Sequence, residues 1–141
     1  MKKEERLHHR SLVEGLFRKG RSFYEYPLRV IWRTMTPEEI SSNFRSTVPE
    51  GIGRVQMMVT VPKKKRKRAV DRVLMRRRIR EAYRLNRGLL KEKTEADERI
   101  RTLSIAFIYQ HTDNMPYAAI EEKMKRVLEK LGRSITKTER I

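Results

Sequence analysis

Cysteine is absent from the 141 residues, so neither a disulfide nor a thiolate metal site can form. Histidine is scarce, and His8, His9 and His111 have no ligand spacing such as HExxH, so no protein-built metal site is expected. Acidic residues are outnumbered, 18 against 35 Lys and Arg, which leaves a formal charge of +17. Self-repulsion of that size is relieved by a polyanion, and nucleic acid is the leading partner. No apolar run approaches the roughly 20 residues of a spanning helix. The start, "MKKEERLHHRSLVEGLF", lacks the apolar stretch and small-residue cleavage site of a signal peptide, so a cytoplasmic protein with no membrane partner is expected. Also missing are a Ser/His/Asp constellation and a carboxylate cluster that could hold two metal ions, so no catalytic residue is expected in this chain.

What is present suffices for one modest core, since 38% of the residues are hydrophobic. Leu12, Val13, Leu16 and Phe17 recur at helical spacing before Gly20, which predicts a helix over about residues 5 to 19. "YPLRVIWRT" alternates, with Leu28, Val30 and Trp32 on one side and Arg29, Ile31 and Arg33 on the other. It reads as a strand with one core face and one partly basic face. Residues 34 to 53 are polar and turn-rich and predict an extended hairpin loop. "RVQMMVTV" is a second strand closed by Pro62, and "RTLSIAFIYQ" is a central one. "RSFYEY" leaves room for a further short strand, and "KEKTEADER" reads as a linker or a frayed continuation of the basic helix. A last helix begins near Pro116, carries Ile120, Met124, Val127, Leu128 and Leu131 as its apolar stripe, and stops at Gly132. One domain over residues 1–132 with a disordered tail at 133–141 is expected.

The segment from Lys63 to Arg87 holds thirteen Lys or Arg in 25 residues, opposed only by Asp71 and Glu81. Projected at roughly 100° per residue, Arg72, Arg76, Arg80, Arg84 and Arg87 share one helical face, with Arg77 at its margin. Met75, Ile79, Ala82, Tyr83, Leu89 and Leu90 fall on a neighbouring apolar arc. Like charges at i, i+4 destabilise a helix by a few tenths of a kcal/mol per pair, so the ridge is a cost to the isolated fold. Guanidinium groups grip phosphate with paired hydrogen bonds, which is a use for that cost. Val73 interrupts the ridge.

Ala69, Val70, Arg72, Arg76, Arg77, Ile79, Arg80, Glu81, Ala82, Tyr83 and Arg84 match the pattern A-V-x-R-x-x-x-[RK]-R-x-I-R-E-A-[YF]-R. This resembles the signature helix of the bacterial ribonuclease P protein component. "ERLHHRSLVEGLFRKGRSF", "VTVPKKKRKRAV" and "SIAFIYQ…YAAIEEKMKRVLEKL" extend the resemblance over nearly the whole chain. The family usually reads Arg-Asn-Arg where Arg72, Val73 and Leu74 stand here.

The resemblance implies an α+β fold like the second domain of ribosomal protein S5. A small mixed sheet would pack with three helices in the order α-β-β-β-α-β-α, with a left-handed β-α-β crossover through the basic helix. It implies a subunit of endoribonuclease P, in which a catalytic RNA with Mg²⁺ removes the 5′ leader of precursor tRNA. On that pattern Arg66, Lys67, Arg68, Arg72, Arg76, Arg77, Arg80, Arg84 and Arg87 would bind the catalytic RNA. A cleft of Val13, Phe17, Arg29, Ile31 and Arg33 would take the leader, although Val13 and Phe17 read equally well as core. Without RNA a monomer is expected. The alternatives are a ribosomal or other structured-RNA-binding protein with no role in cleavage, and a DNA-binding regulator. The regulator would want more base-reading Asn or Gln than Asn86 supplies.

Overall fold

The computed structural model describes residues 1–44 and 47–139, with side-chain surroundings up to residue 136. A 3-10 turn at Lys3–Glu5 precedes α1 (Arg10–Lys19), β1 (Arg21–Glu25), β2 (Leu28–Met35), α2 (Pro37–Asn43) and β3 (Val55–Thr60). The basic helix α3 (Ala69–Asn86), α4 (Gly88–Glu95), β4 (Thr102–Tyr109) and α5 (Tyr117–Glu139) follow. The predicted frame is present with two helices added, which makes five in place of three. The first helix is also shorter than expected, starting at Arg10, because Arg6 and Leu7 pair with Met57 of β3.

Four strands form one mixed sheet in the order β1-β2-β4-β3. β1 and β2 are an antiparallel hairpin, β2 pairs antiparallel with β4, and β3 runs parallel to β4. A parallel pair needs a crossover, and α3 with α4 supplies it. β2 and β3 are therefore not hydrogen-bonded neighbours, and residues 34 to 53 are not a hairpin loop. β2 instead runs on to Met35, and α2 follows, capped by Thr36 and Glu39 bonding reciprocally to each other's backbone amides. Ile40 anchors α2 in the core. Residues 45 and 46 of the expected loop lie outside the described residues.

Register fixes which side chains share a face. Leu28, Val30, Trp32, Val55, Met57, Val59, Leu103, Ile105, Phe107 and Tyr109 face α3 and α5 and make the main core with Met75, Ile79, Tyr83, Met124 and Leu131. The opposite face carries a second, smaller core of Ile31, Met35, Ala106 and Ile108 beneath Leu12 and Leu16 of α1 and Ile40 of α2. β4 is buried along its whole length because both faces are covered.

Near the C-terminus, Gly132 does not stop the helix. α5 runs to Glu139, since Ile135 continues the Leu128 and Leu131 stripe into the core. The expected tail is thus helical over residues 133–139, while 140 and 141 lie outside the described residues. Of the two readings of "KEKTEADER", continuation fits its first half and linker does not: α4 follows directly on α3 and covers it, with Leu90 and Thr94 buried. Arg54 ends α4 by donating to the carbonyls of Thr94 at 3.2 Å and Asp97 at 3.1 Å. Leu89, placed on the apolar arc by the projection, is 60% exposed because the helix breaks at Arg87 and restarts at Gly88.

Ahead of α1, the chain is strapped along β3. The Leu7 amide donates to the Met57 carbonyl at 2.9 Å, and the Gln56 Nε2 donates to the Glu4 carbonyl at 3.2 Å.

Candidate nucleic-acid interface

Met75, Ile79, Ala82 and Tyr83 lock one side of α3 into the main core, which turns the opposite side outward. There the arginines divide. Arg77 and Arg80 are exposed and Arg76 is half-buried, and among the described residues none of the three has an acidic partner. Burial lowers the pKa of Arg80, and the charges of Arg76 and Arg6 lower it further. Its cation sits in a positive field without a counterion among the described residues. Lys67 and Arg68 are also exposed, the latter only 3.8 Å from the Asp71 carboxylate. Val73 is 40% exposed beside them and Leu74 is half-buried.

Four predicted RNA-binding residues are engaged inside the protein. Arg66 pairs with Asp71 at 3.1 Å and donates to the Asn114 Oδ1 at 3.0 Å and the Thr112 carbonyl, which pins the basic approach to the loop after β4. Asn114 also donates to Asp71 at 3.0 Å. That hydrogen bond lowers the Asp71 carboxyl, burial opposes it, and Arg66 and Arg68 lower it further. Arg72 turns back to the carbonyls of Arg66 and Lys67 at 3.0 Å and 2.7 Å. Arg87 meets Glu5 at 2.7 Å, with Lys91 behind it at 3.6 Å. Burial works to raise the Glu5 carboxyl, yet the Lys2 amide with Arg87 and Lys91 holds it below its ordinary value. Arg84 chelates Glu81, and the bond raises Arg84 and lowers Glu81.

Arg78, which the projection left unassigned, also points inward and donates to the Met115 carbonyl. Nothing local in the sequence separates it from Arg77. Its partner comes from the far side of β4.

On the other face of the sheet, Arg29, Ile31 and Arg33 project toward α1 as the alternation predicts. Ile31 is only 5% exposed and belongs to the second core, so it supports the cleft from beneath and is not a contact. Val13 packs against the same core from α1, half-buried, while Phe17 one turn later is 46% exposed. Arg29 lies 5.8 Å from the ring of Tyr24, its cross-strand neighbour on β1, within cation–π range. Tyr24 is 65% exposed and offers a stacking surface that the sequence alone did not assign. Arg33 reaches over Gly15 of α1, where an added Cβ would stand 2.6 Å from its Nη1. Phe17, Tyr24, Arg29 and Arg33 thus supply aromatic and cationic groups on one side of the sheet. Sequence-tolerant binding of a single strand uses those groups.

Comparison with known proteins agrees with this geometry. The family model Ribonuclease P matches residues 1–132. Two proteins called ribonuclease P protein component, from Porphyromonas gingivalis strains W83 and ATCC 33277, are 30% and 32% identical over 135 residues, 96% of this chain and 88% of theirs. Among solved structures, a Staphylococcus aureus RNase P protein mutant with defective mRNA degradation activity superposes with a TM-score of 0.61 at 20% identity, covering 90% of this chain and 87% of that one. The RNase P protein from Thermotoga maritima gives 0.61 at 19% identity over 89% of this chain and 96% of its own. These two share the fold. With a family match over nearly its full length and curated relatives at this identity, the chain belongs to the ribonuclease P protein component family.

Proposed function

We propose that this chain is the protein subunit of a ribonuclease P ribonucleoprotein, binding both the catalytic RNA and the 5′ leader of precursor tRNA. The observation that carries the reading is the outer side of α3, where Arg76, Arg77 and Arg80 stand without acidic partners among the described residues and Lys67 and Arg68 are exposed ahead of them. A folded RNA gives such a ridge its counter-charge. Arg66, Arg72 and Arg87 hold the ridge in place from within the protein and are not its contacts. Arg84 sits between the two roles, because RNA phosphate would compete with Glu81 for it.

Cleavage belongs to the RNA partner, which brings Mg²⁺. Among the described residues no group of three His, Cys, Asp or Glu side chains is placed to hold a metal ion. The protein's own work is to position: the α3 ridge on the catalytic RNA, and the Phe17, Tyr24, Arg29 and Arg33 surface on the leader. A cytoplasmic location and a monomeric state before RNA binding fit that role. Among the described residues no helix is long and apolar enough to cross a membrane.

Reconstitution with the catalytic RNA from the same source at low Mg²⁺, scored for release of the 5′ leader, tests the reading. The protein should raise cleavage of precursor tRNA, and its RNA affinity should fall steeply with salt as counterions are released. Tight RNA binding with no gain in leader removal would favour the structured-RNA-binding alternative.

A further inference from the structure

Beside the open ridge, α3 also walls a cavity of about 510 Å³. Arg77, Arg78, Arg80 and Arg84 line it from α3, Arg6 enters from the strap along β3, and Tyr117 borders its open side from the first turn of α5. Glu81 is the one acid of the lining, and Arg84 already holds its carboxylate. Arg78 is fixed to the Met115 carbonyl and Arg84 to Glu81, so two of the five guanidinium groups make a set wall. Those of Arg6, Arg77 and Arg80 have no partner among the described residues. The Tyr117 ring and Met1 form an apolar side, both packed partly against the main core.

Size, charge and shape together select a ligand class. The volume lies in the ordinary range of small-molecule sites, about 300 to 1,000 Å³, and exceeds what a lone phosphate fills. Three unpartnered guanidinium groups call for a phosphate. An aromatic ring beside them calls for a flat partner, and bases splayed from RNA loops and bulges stack on aromatic rings or on guanidinium planes. Arg77 and Arg80 belong to both ridge and cavity, so a strand following the ridge passes the cavity mouth.

We propose that this cavity takes a single nucleotide turned out of an RNA strand, with its phosphate on Arg6, Arg77 and Arg80 and its base against Tyr117. The inference rests on the RNA-binding role above and adds the kind of RNA feature that α3 meets: a bulged or kinked position next to a regular backbone. The lowered pKa of Arg80 fits a cation awaiting such an anion.

The full chain without RNA can be titrated by calorimetry with adenosine 5′-monophosphate, uridine 5′-monophosphate and inorganic phosphate. The mononucleotides should bind roughly tenfold more tightly than phosphate, the share of one stacked base. Tyr117→Leu should erase that advantage and leave phosphate binding unchanged. Tyr117→Phe should keep it, which separates loss of the ring from damage to the fold, and Arg77→Gln should weaken all three ligands. An RNA hairpin with one bulged nucleotide should outbind the fully paired hairpin by a similar factor, in a manner that Tyr117→Leu abolishes. Equal affinity for phosphate and mononucleotide would overturn the cavity as a nucleotide site and leave the ribonuclease P reading standing. Mononucleotide preference with no difference between the hairpins would assign the cavity to free nucleotides and overturn the RNA part. A hairpin difference in a protein that fails to bind the catalytic RNA would sustain the cavity and overturn the wider reading.

Discussion

Arg66 and Arg77 belong to one basic run and look interchangeable on paper, yet they do opposite work. Arg66 is enclosed by Asp71, Asn114 and the Thr112 carbonyl, and its charge is spent joining the approach to α3 onto the loop after β4. Arg77 faces outward with no acid to answer it among the described residues. The same division separates Arg87, held on Glu5, from Arg80, whose charge is crowded by Arg76 and Arg6. A run of positive charge is therefore two populations, one that builds the platform and one that the platform presents. What sorts them is the presence of a carboxylate or a carbonyl brought near by distant parts of the chain.

Substitutions in the two populations should fail in different assays. The largest effect is expected for Arg87→Ala, which leaves the Glu5 carboxylate, 4% exposed, with the Lys2 amide and Lys91 but without its nearest cation. Removing one partner of a buried ion pair costs about 3 kcal/mol, or a fall in melting temperature of about 10 °C, read by thermal denaturation. RNA affinity of the fraction that remains folded should change little. The pH dependence sharpens this. Because the folded state holds Glu5 below its ordinary 4.5, its contribution is present above that pH and lost as pH falls through the folded value. The stability gap between the parent and Arg87→Ala should accordingly narrow on acidification below 4.5.

Next in size, Arg77→Gln with Arg80→Gln should lower affinity for the catalytic RNA on the order of a hundredfold at low salt, measured by filter binding. The slope of log affinity against log salt should become shallower by about two. Melting temperature should hold or rise slightly, since repulsion along the helix is relieved. A matched fall in stability would erase the distinction between the two populations.

Smaller effects are expected on the far face of the sheet. Phe17→Ala should reduce the preference for precursor over mature tRNA by roughly fivefold, the low end for loss of one stacked base. Equal weakening for both substrates would remove the leader from this cleft. The smallest effect is expected from Gly15→Ala. Its Cβ displaces only the mobile end of Arg33, so the helix gains up to about 1 kcal/mol of propensity while leader discrimination drops about twofold. Unchanged discrimination would show that Arg33 has no part in leader binding.

How much of this was legible in the sequence follows from the range of each interaction. Met75, Ile79, Ala82 and Tyr83 were readable as the buried side of α3 because helical periodicity is a local signal. α2 was missed although Thr36, Pro37 and Glu39 spell a capping box, because Ile40 alone gave no periodicity to support it. Gly132 misled for the opposite reason. A glycine after an apolar stripe resembles a stop, but Ile135 lay one turn further on, and Gly132 itself sits under the Lys93 side chain of α4. Sheet order was not legible in the strand patterns, since nothing in "RVQMMVTV" says whether its neighbour is the strand before it or the one after; only the resemblance, through its β-α-β crossover, pointed to the latter. The arginine partners were hidden for the same reason: Glu5 and Asn114 approach Arg87 and Arg66 only once the chain has folded.

The strap of residues 4 to 7 along β3 has one more consequence. β3 ends the sheet, and a bare strand edge is a template on which another chain can add. With Leu7 on the Met57 carbonyl and a parallel bridge between Arg6 and Met57, the middle of that template is occupied by the segment ahead of α1. The opposite border, β1, is five residues long and begins with exposed Arg21 and Ser22, a short and charged rim that discourages growth. Each rim of the sheet thus carries a feature that opposes strand addition, a strap on β3 and a short, charged edge on β1.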